Sequence, residues 1–263
     1  MRTLISPDAA TSLRMQQFQP RADELAGRVI AITGAGSGIG RAVALAAAAH
    51  GARVILVGRT LRKLEGVHAQ IEAAGGQAQI APLNLETAAP ADYEQLAAAV
   101  GEAYGRLDGL LHNAALLGTL SPIEQYDPPT WFRVMHVNLT AAFLLTQLLL
   151  PLLRASADAS LAFTTSSAGR RGYAYWGAYG ISKFGVEGLV QTLAEEHAHL
   201  DTLRVNAINP GATRTPMRRA AYPAEDLNAS VEPAALANAY LWLLGPASRG
   251  VTGQSLDAQP PRR

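Results

Sequence analysis

The chain has 263 residues, 49% hydrophobic and only 16% charged, enough apolar material for a large core and too little charge for a disordered bulk. A net charge of +1 gives no electrostatic case for nucleic acid or an anionic membrane as partner. The absence of cysteine excludes disulfides and thiolate chemistry, and the six histidines show no ligand spacing, so no metal is expected.

Residues 1–17 lack the apolar segment of a secretory signal and are expected to form a flexible leader. Residues 28–33 read as a buried strand, followed by glycines and a helix over 38–50. A second strand covers 53–57, a helix 61–74, a short third strand 79–83 and a helix 91–104. A fourth strand covers 107–112, a long helix 129–153, a fifth strand 160–165, another long helix 179–199 and a sixth strand 204–208. His197 and His199, two apart on that last helix, are expected on a solvated face. Continuous apolar strands separated by helices imply a parallel sheet covered on both faces. Right-handed crossovers make it a single-domain, doubly wound α/β fold of the Rossmann type. The most apolar stretch, 141–153, includes Thr146, Gln147 and Pro151 and falls short of the roughly 20 residues a bilayer span needs, so a soluble, cytoplasmic protein is expected. Residues 214–232, rich in Pro, Arg and Ala, break the alternation and are expected to form a substrate lid.

The turn after the first strand reads Thr33-Gly34-Ala35-Gly36-Ser37-Gly38-Ile39-Gly40. A strand, a glycine turn and a helix start present free backbone N–H groups at the positive end of a helix dipole, which suits a pyrophosphate. The spacing is Gly-x-x-x-Gly-x-Gly rather than Gly-x-Gly-x-x-Gly, and the turn alone fits a purely structural role equally well. In dinucleotide folds an acid about 20 positions on binds the ribose 2′-hydroxyl. Here that place holds Gly58-Arg59, with Lys63 nearby. A cation in place of the acid points to a 2′-phosphate, hence NADP(H) preferred with NAD(H) possible. Read structurally, Arg59 is a surface arginine.

Tyr179 and Lys183, at i and i+4, share one helix face. A phenol ionises near pH 10 and is a poor acid–base catalyst at neutrality; a nearby ammonium stabilises its phenolate. Ser166 follows the fifth strand at the carboxyl edge of the sheet, where ligands bind in such folds. A Tyr-x-x-x-Lys pair is often only a solvated helix pair; its place after a Ser-bearing strand end favours proton transfer.

Taken together these residues resemble the short-chain dehydrogenase/reductase family over nearly the whole chain. The glycine turn resembles the family's cofactor turn, so Gly34, Ser37, Gly38, Ile39 and Gly40 are cofactor candidates with Arg59. Asn113-Ala114-Ala115 is similar to its Asn-Ala-Gly segment, and Asn138 to the helix asparagine of its catalytic tetrad, whose other members match Ser166, Tyr179 and Lys183. Pro210-Gly211 with Thr213 and Thr215 matches the segment that contacts the nicotinamide carboxamide. The resemblance implies that Tyr179 is the general acid/base, that Lys183 also binds the nicotinamide ribose, and that Asn138 holds a water in a proton relay. A narrower resemblance, to the bacterial YciK-like subgroup, is carried by segments such as Trp176-Gly177-Ala178-Tyr179 and Asp257-Ala258-Gln259-Pro260. Three departures stand out. Asn84 occupies the place of an aspartate near the adenine, Ala115 replaces a glycine, and similarity begins only at Met15, so Met15 is the expected natural start or Met1 to Arg14 a tail.

Arg170, Arg171, Arg214, Arg218 and Arg219 suit an acidic substrate if turned inward, and a solvated rim if not. Tyr173, Tyr175, Trp176 and Tyr222 suit an apolar pocket or core packing. The two long helices imply, by resemblance, a homodimer or homotetramer. The expected function is an NADP(H)-preferring oxidoreductase interconverting a small-molecule carbonyl and alcohol. The alternative is a cofactor-binding regulatory protein without turnover; a nucleotide-sugar epimerase or dehydratase is disfavoured by the short carboxyl region.

Overall fold

The computed structural model describes residues 9–260. Within them seven strands, β1 (Val29–Thr33), β2 (Arg53–Gly58), β3 (Gln77–Pro82), β4 (Gly109–His112), β5 (Ala159–Thr164), β6 (Leu203–Asn209) and β7 (Ser255–Asp257), form one sheet. Its order is β3-β2-β1-β4-β5-β6-β7, and every pairing is parallel. The order reverses direction between β1 and β4, the crevice where such sheets bind ligands.

The alternation of side chains along β1 shows why both faces are covered. Ile30 and Ile32 join one apolar cluster, with α2 (Gly38–Ala49), α3 (Leu61–Ala73) and α9 (Ala237–Leu244). Val29 and Ala31 join the other, with α4 (Pro90–Tyr104), α6 (Ala141–Arg154) and α7 (Gly177–Glu196). The long helix expected over 129–153 is α5 (Pro128–Met135), a π-helical segment His136–Thr140, and α6 run together. Together they are long and apolar enough to span a membrane; Ala141, Leu145, Leu149 and Leu153 are nonetheless buried in the core.

Two expectations need correction. From Ala9 on, the leader is ordered: α1 (Ala9–Gln16) docks on α9 and β7 with Met15 fully buried. Ser12 Oγ accepts from the Asp257 amide at 3.1 Å, and Gln16 Nε2 donates to the Asp257 carbonyl at 2.8 Å. Residues 1–8 lie outside the described residues. His197, expected in solvent, is buried with Nδ1 2.9 Å from the Leu193 carbonyl, a helix-end partner no periodicity reveals; His199 is exposed.

Candidate active site

Along the carboxyl ends of the strands runs a cleft of about 1060 Å³. Thr33, the last residue of β1, organises its floor. Its Oγ1 accepts the amides of Asn113 and Ala114 at 2.9 and 3.0 Å, while Asn113 Nδ2 donates to the Thr33 carbonyl at 3.2 Å. The turn beyond Thr33 needs glycine at two places for opposite reasons. Gly34 has φ +69°, open to glycine at little cost. A Cβ on Gly40 would stand 2.4 Å from the Gly34 carbonyl oxygen, so this residue lets α2 pack onto the turn; it lies behind the cleft rather than in its wall. Ser37 is the N-cap of α2 but its hydroxyl makes no capping bond, leaving the first N–H groups of the helix toward the cleft with Gly38 and Ile39.

Arg59 and Asn84 line the far end. The Arg59 guanidinium is 60% exposed and pairs with Glu86 at 3.2 Å, and the same carboxylate takes Arg133 at 2.9 Å. Glu86 and Arg133 were not among the sequence candidates; the only available signal is that Glu86 follows Asn84 by two residues. On the opposite wall Gln259 Nε2 donates to the carbonyls of Pro210 and Ala212, at 2.6 and 3.1 Å, shaping the loop that brings Pro210, Gly211, Thr213 and Thr215 to the cleft. The 214–232 excursion is closed at its base by Arg214 N to Val231 O (2.8 Å) and Val231 N to Ala212 O (3.2 Å). It places α8 (Pro216–Ala221) and Tyr222 over the cleft.

The proton-transfer set converges at the centre. Tyr179 and Lys183 are 8% and 3% exposed, and Lys183 Nζ lies 5.7 Å from the Tyr179 ring centre and 2.8 Å from the Thr164 carbonyl it donates to. Burial raises the Tyr179 pKa, and a hydrogen bond with Ser166 opposes that rise. Burial lowers the Lys183 pKa to about 8, against the pull of the Glu187 carboxylate one turn on. Ser166 also caps the following turn, Oγ accepting from Ala168 N at 3.2 Å, which fixes its rotamer.

Asn138 is buried within the π-helical segment, a distortion frequent at functional sites. Its Oδ1 accepts from Leu116 N at 2.7 Å; its Nδ2 donates to Leu116 O at 2.9 Å and Ser182 Oγ at 3.0 Å. The side chain thus braces the loop after β4 against α7, outside the main cleft. It borders a cavity of about 10 Å³ shared with Lys183, Thr164 and His112. His112 is held neutral, its pKa lowered to about 3 by burial and by the Lys183 charge.

Three of the arginines pair with protein carboxylates, although Arg170, Arg171 and Arg218 line the cleft. Arg170 bonds Asp257 at 2.7 Å, Arg214 bonds Glu232 at 2.5 Å, and Arg218 forks onto Glu225 at 2.5 and 2.7 Å. Arg171 is exposed, 5.7 Å over the Tyr173 ring, and Arg219 is exposed outside the cleft lining. Of the aromatic candidates, Tyr173, Trp176 and Tyr222 line the cleft, while Tyr175 is exposed with φ +72°.

Comparison with known proteins agrees with this geometry. The short chain dehydrogenase family model matches residues 28–226. The Escherichia coli oxidoreductase YciK is 49% identical over 247 residues, covering 94% of this chain and 97% of the relative. A short chain dehydrogenase from Escherichia coli CFT073, solved in complex with NADPH, is 50% identical with a TM-score of 0.89, covering 92% of this chain and all of the other. One from Shigella flexneri, solved in complex with NADP, is 49% identical with a TM-score of 0.88, covering 91% and all of it.

Proposed function

Since the chain belongs to the short-chain dehydrogenase family and is an oxidoreductase, we propose that it interconverts a carbonyl and an alcohol using NADP(H) in preference to NAD(H), with Tyr179 as general acid/base. The observation that carries the reading is the Ser166–Tyr179–Lys183 cluster, its tyrosine and lysine buried, on a dinucleotide-sized cleft.

The residues fit that cofactor. The uncapped N–H groups behind Ser37 suit the pyrophosphate, and glycines at Gly34 and Gly38, both at positive φ, let it approach the backbone. Asn84 and Arg59 stand at the adenosine end, and the two solved relatives with NADP and NADPH support a 2′-phosphate there. Bound, the dinucleotide supplies or accepts the hydride, and its oxidised ring brings a positive charge. In the reducing direction Ser166 and Tyr179 donate hydrogen bonds to the carbonyl oxygen, and Tyr179 passes its proton to that oxygen as the carbon becomes tetrahedral. Lys183 then stabilises the phenolate through its charge. Asn138 holds the wall of the small cavity beside Lys183 through which a water would return the proton. Residues 214–232 act as a lid over the substrate half, and the protein works in the cytoplasm as a homo-oligomer.

Tyr179→Phe should cut kcat by at least about 10³-fold, in line with the loss of a general acid, while NADPH titration stays within about twofold; substantial residual turnover would remove Tyr179 from the role. Arg59→Ala should weaken NADPH binding by about 10- to 100-fold, the worth of one charge-assisted hydrogen bond, and leave NADH nearly unchanged. Equal losses for both would reject the 2′-phosphate assignment.

A further inference from the structure

The substrate half of the cleft is built from aromatic rings. Trp176 stands between two of them, its ring centre 5.6 Å from Tyr179 and 5.8 Å from Tyr222, with Tyr173 at 6.5 Å. Tyr222 follows α8, so the indole and the phenol reach the cleft from different segments and meet there. Its ring is backed by the Arg218 guanidinium at 3.8 Å. A cation over a ring's face holds the ring in one orientation.

Most of the charge in this half is paired within the protein, while Arg171 stands exposed at the rim over the Tyr173 ring. Arg218 is held in a two-bond fork by Glu225, Arg214 by Glu232, and Arg170 by Asp257 with Glu187 at 3.5 Å. An anionic substrate that recruited Arg218, Arg214 or Arg170 would have to break one of these pairs and strand a carboxylate, which costs about as much as its own pairing with the freed arginine would return, and Arg171 lies out at the exposed rim. An uncharged ring meets no such penalty and stacks on surfaces already in place.

Resting on the carbonyl/alcohol reading above, we propose that the substrate is an uncharged, ring-bearing ketone or the corresponding secondary alcohol, its ring packed against the aromatic wall that Trp176 and Tyr222 form beside Tyr179. Trp176 is then a specificity-determining residue, and Tyr222 the part of the lid that recognises substrate.

The test uses the full-length protein saturated with NADPH and three probes. These are α-tetralone, an open-chain decanone of equal carbon count, and a ring-carboxylated tetralone. The expected order in kcat/KM is α-tetralone above decanone by about tenfold or more, with the carboxylated compound well below α-tetralone. Trp176→Ala and Tyr222→Ala should each lower kcat/KM for α-tetralone by about three- to tenfold, mainly through KM and by more than for decanone, matching the worth of one aromatic contact. Trp176→Phe should restore most of the loss. Binding is read separately by calorimetry of α-tetralone to the NADPH-bound Tyr179→Phe variant. Binding there with no turnover by wild type would sustain the ring site and reject the reaction; turnover of decanone or the carboxylate in preference to α-tetralone, or absence of α-tetralone binding, would overturn the ring proposal.

Discussion

Lys183 shows what the site asks of the fold. Its ammonium is buried among Tyr179, His112, the Thr164 carbonyl and Glu187, and its pKa falls from 10.5 to about 8 because desolvation outweighs the Glu187 carboxylate. The folded-state value lies below the unfolded one, so between about pH 8 and pH 10.5 the unfolded chain holds the extra proton and stability rises with pH. Below pH 8 the full cost stands, about 3 kcal/mol for a shift of this size. Lys183→Met removes it but leaves the Thr164 carbonyl without its donor, an offset of about 1–3 kcal/mol. The variant should therefore be as stable as wild type or more so at pH 7, and lose that position steadily as pH approaches 10.5, while losing turnover. Urea denaturation across this range measures the difference; a stability gap between the two that stays flat with pH would show that the lysine is not desolvated as described.

At the scale of elements, α1 is a working part of the molecule. Met15 is fully buried, and Ser12 and Gln16 hold the main chain of Asp257, whose carboxylate bonds Arg170 and, at 2.9 Å, Asn209. That links α1, through Asp257 and Asn209, to the loop beginning at Pro210. Met15→Ala should lower unfolding free energy by about 2–4 kcal/mol with an unchanged denaturant slope; a midpoint matching wild type would mean the helix is loosely attached. Nothing local in the sequence announces this. The polar face of α1 is satisfied by a main chain 241 residues away, and β7, only three residues long, is too short to carry a pattern. The six earlier strands were legible because their apolar runs recur between helical segments. Tyr179, Lys183 and Ser166 stand out in the sequence as a Tyr-x-x-x-Lys pair on a helix after a serine at a strand end, and Asn138 only through the family resemblance. Glu86 against Arg59, and Tyr222 against Trp176, were not, since each pair meets only through the fold. The π-helical segment was missed because apolar periodicity runs on through it, so 129–153 read as one regular helix.

Across the whole molecule the unexplained surface is apolar. Phe132 and Phe143, on α5 and α6, and Ile181 and Phe184, on α7, are 70%, 45%, 43% and 45% exposed. The α5–α6 run and α7 pack closely at Gly185, where a Cβ would stand 2.6 Å from Leu139, so both helices present exposed apolar side chains on one side-by-side pair. Exposed apolar side chains in such numbers are the kind that interfaces cover, and the 27-residue run Pro128–Arg154 could in composition meet either lipid or protein. Lipid would have to surround a helix whose Ala141, Leu145, Leu149 and Leu153 already pack into the domain. A second copy needs only the outer face, and two long helices offer the ~800 Å² per partner of a stable dimer. Sedimentation velocity at micromolar concentration without detergent should give a dimer or tetramer. Phe143→Asp combined with Phe184→Asp should weaken association by at least about 100-fold, since two central aromatic anchors are replaced by charges. Far-ultraviolet circular dichroism of that variant should be unchanged, because both side chains face outward. A wild-type monomer, or wild-type protein that floats with lipid vesicles and stays monomeric without them, would assign this surface to something other than a second copy of this chain.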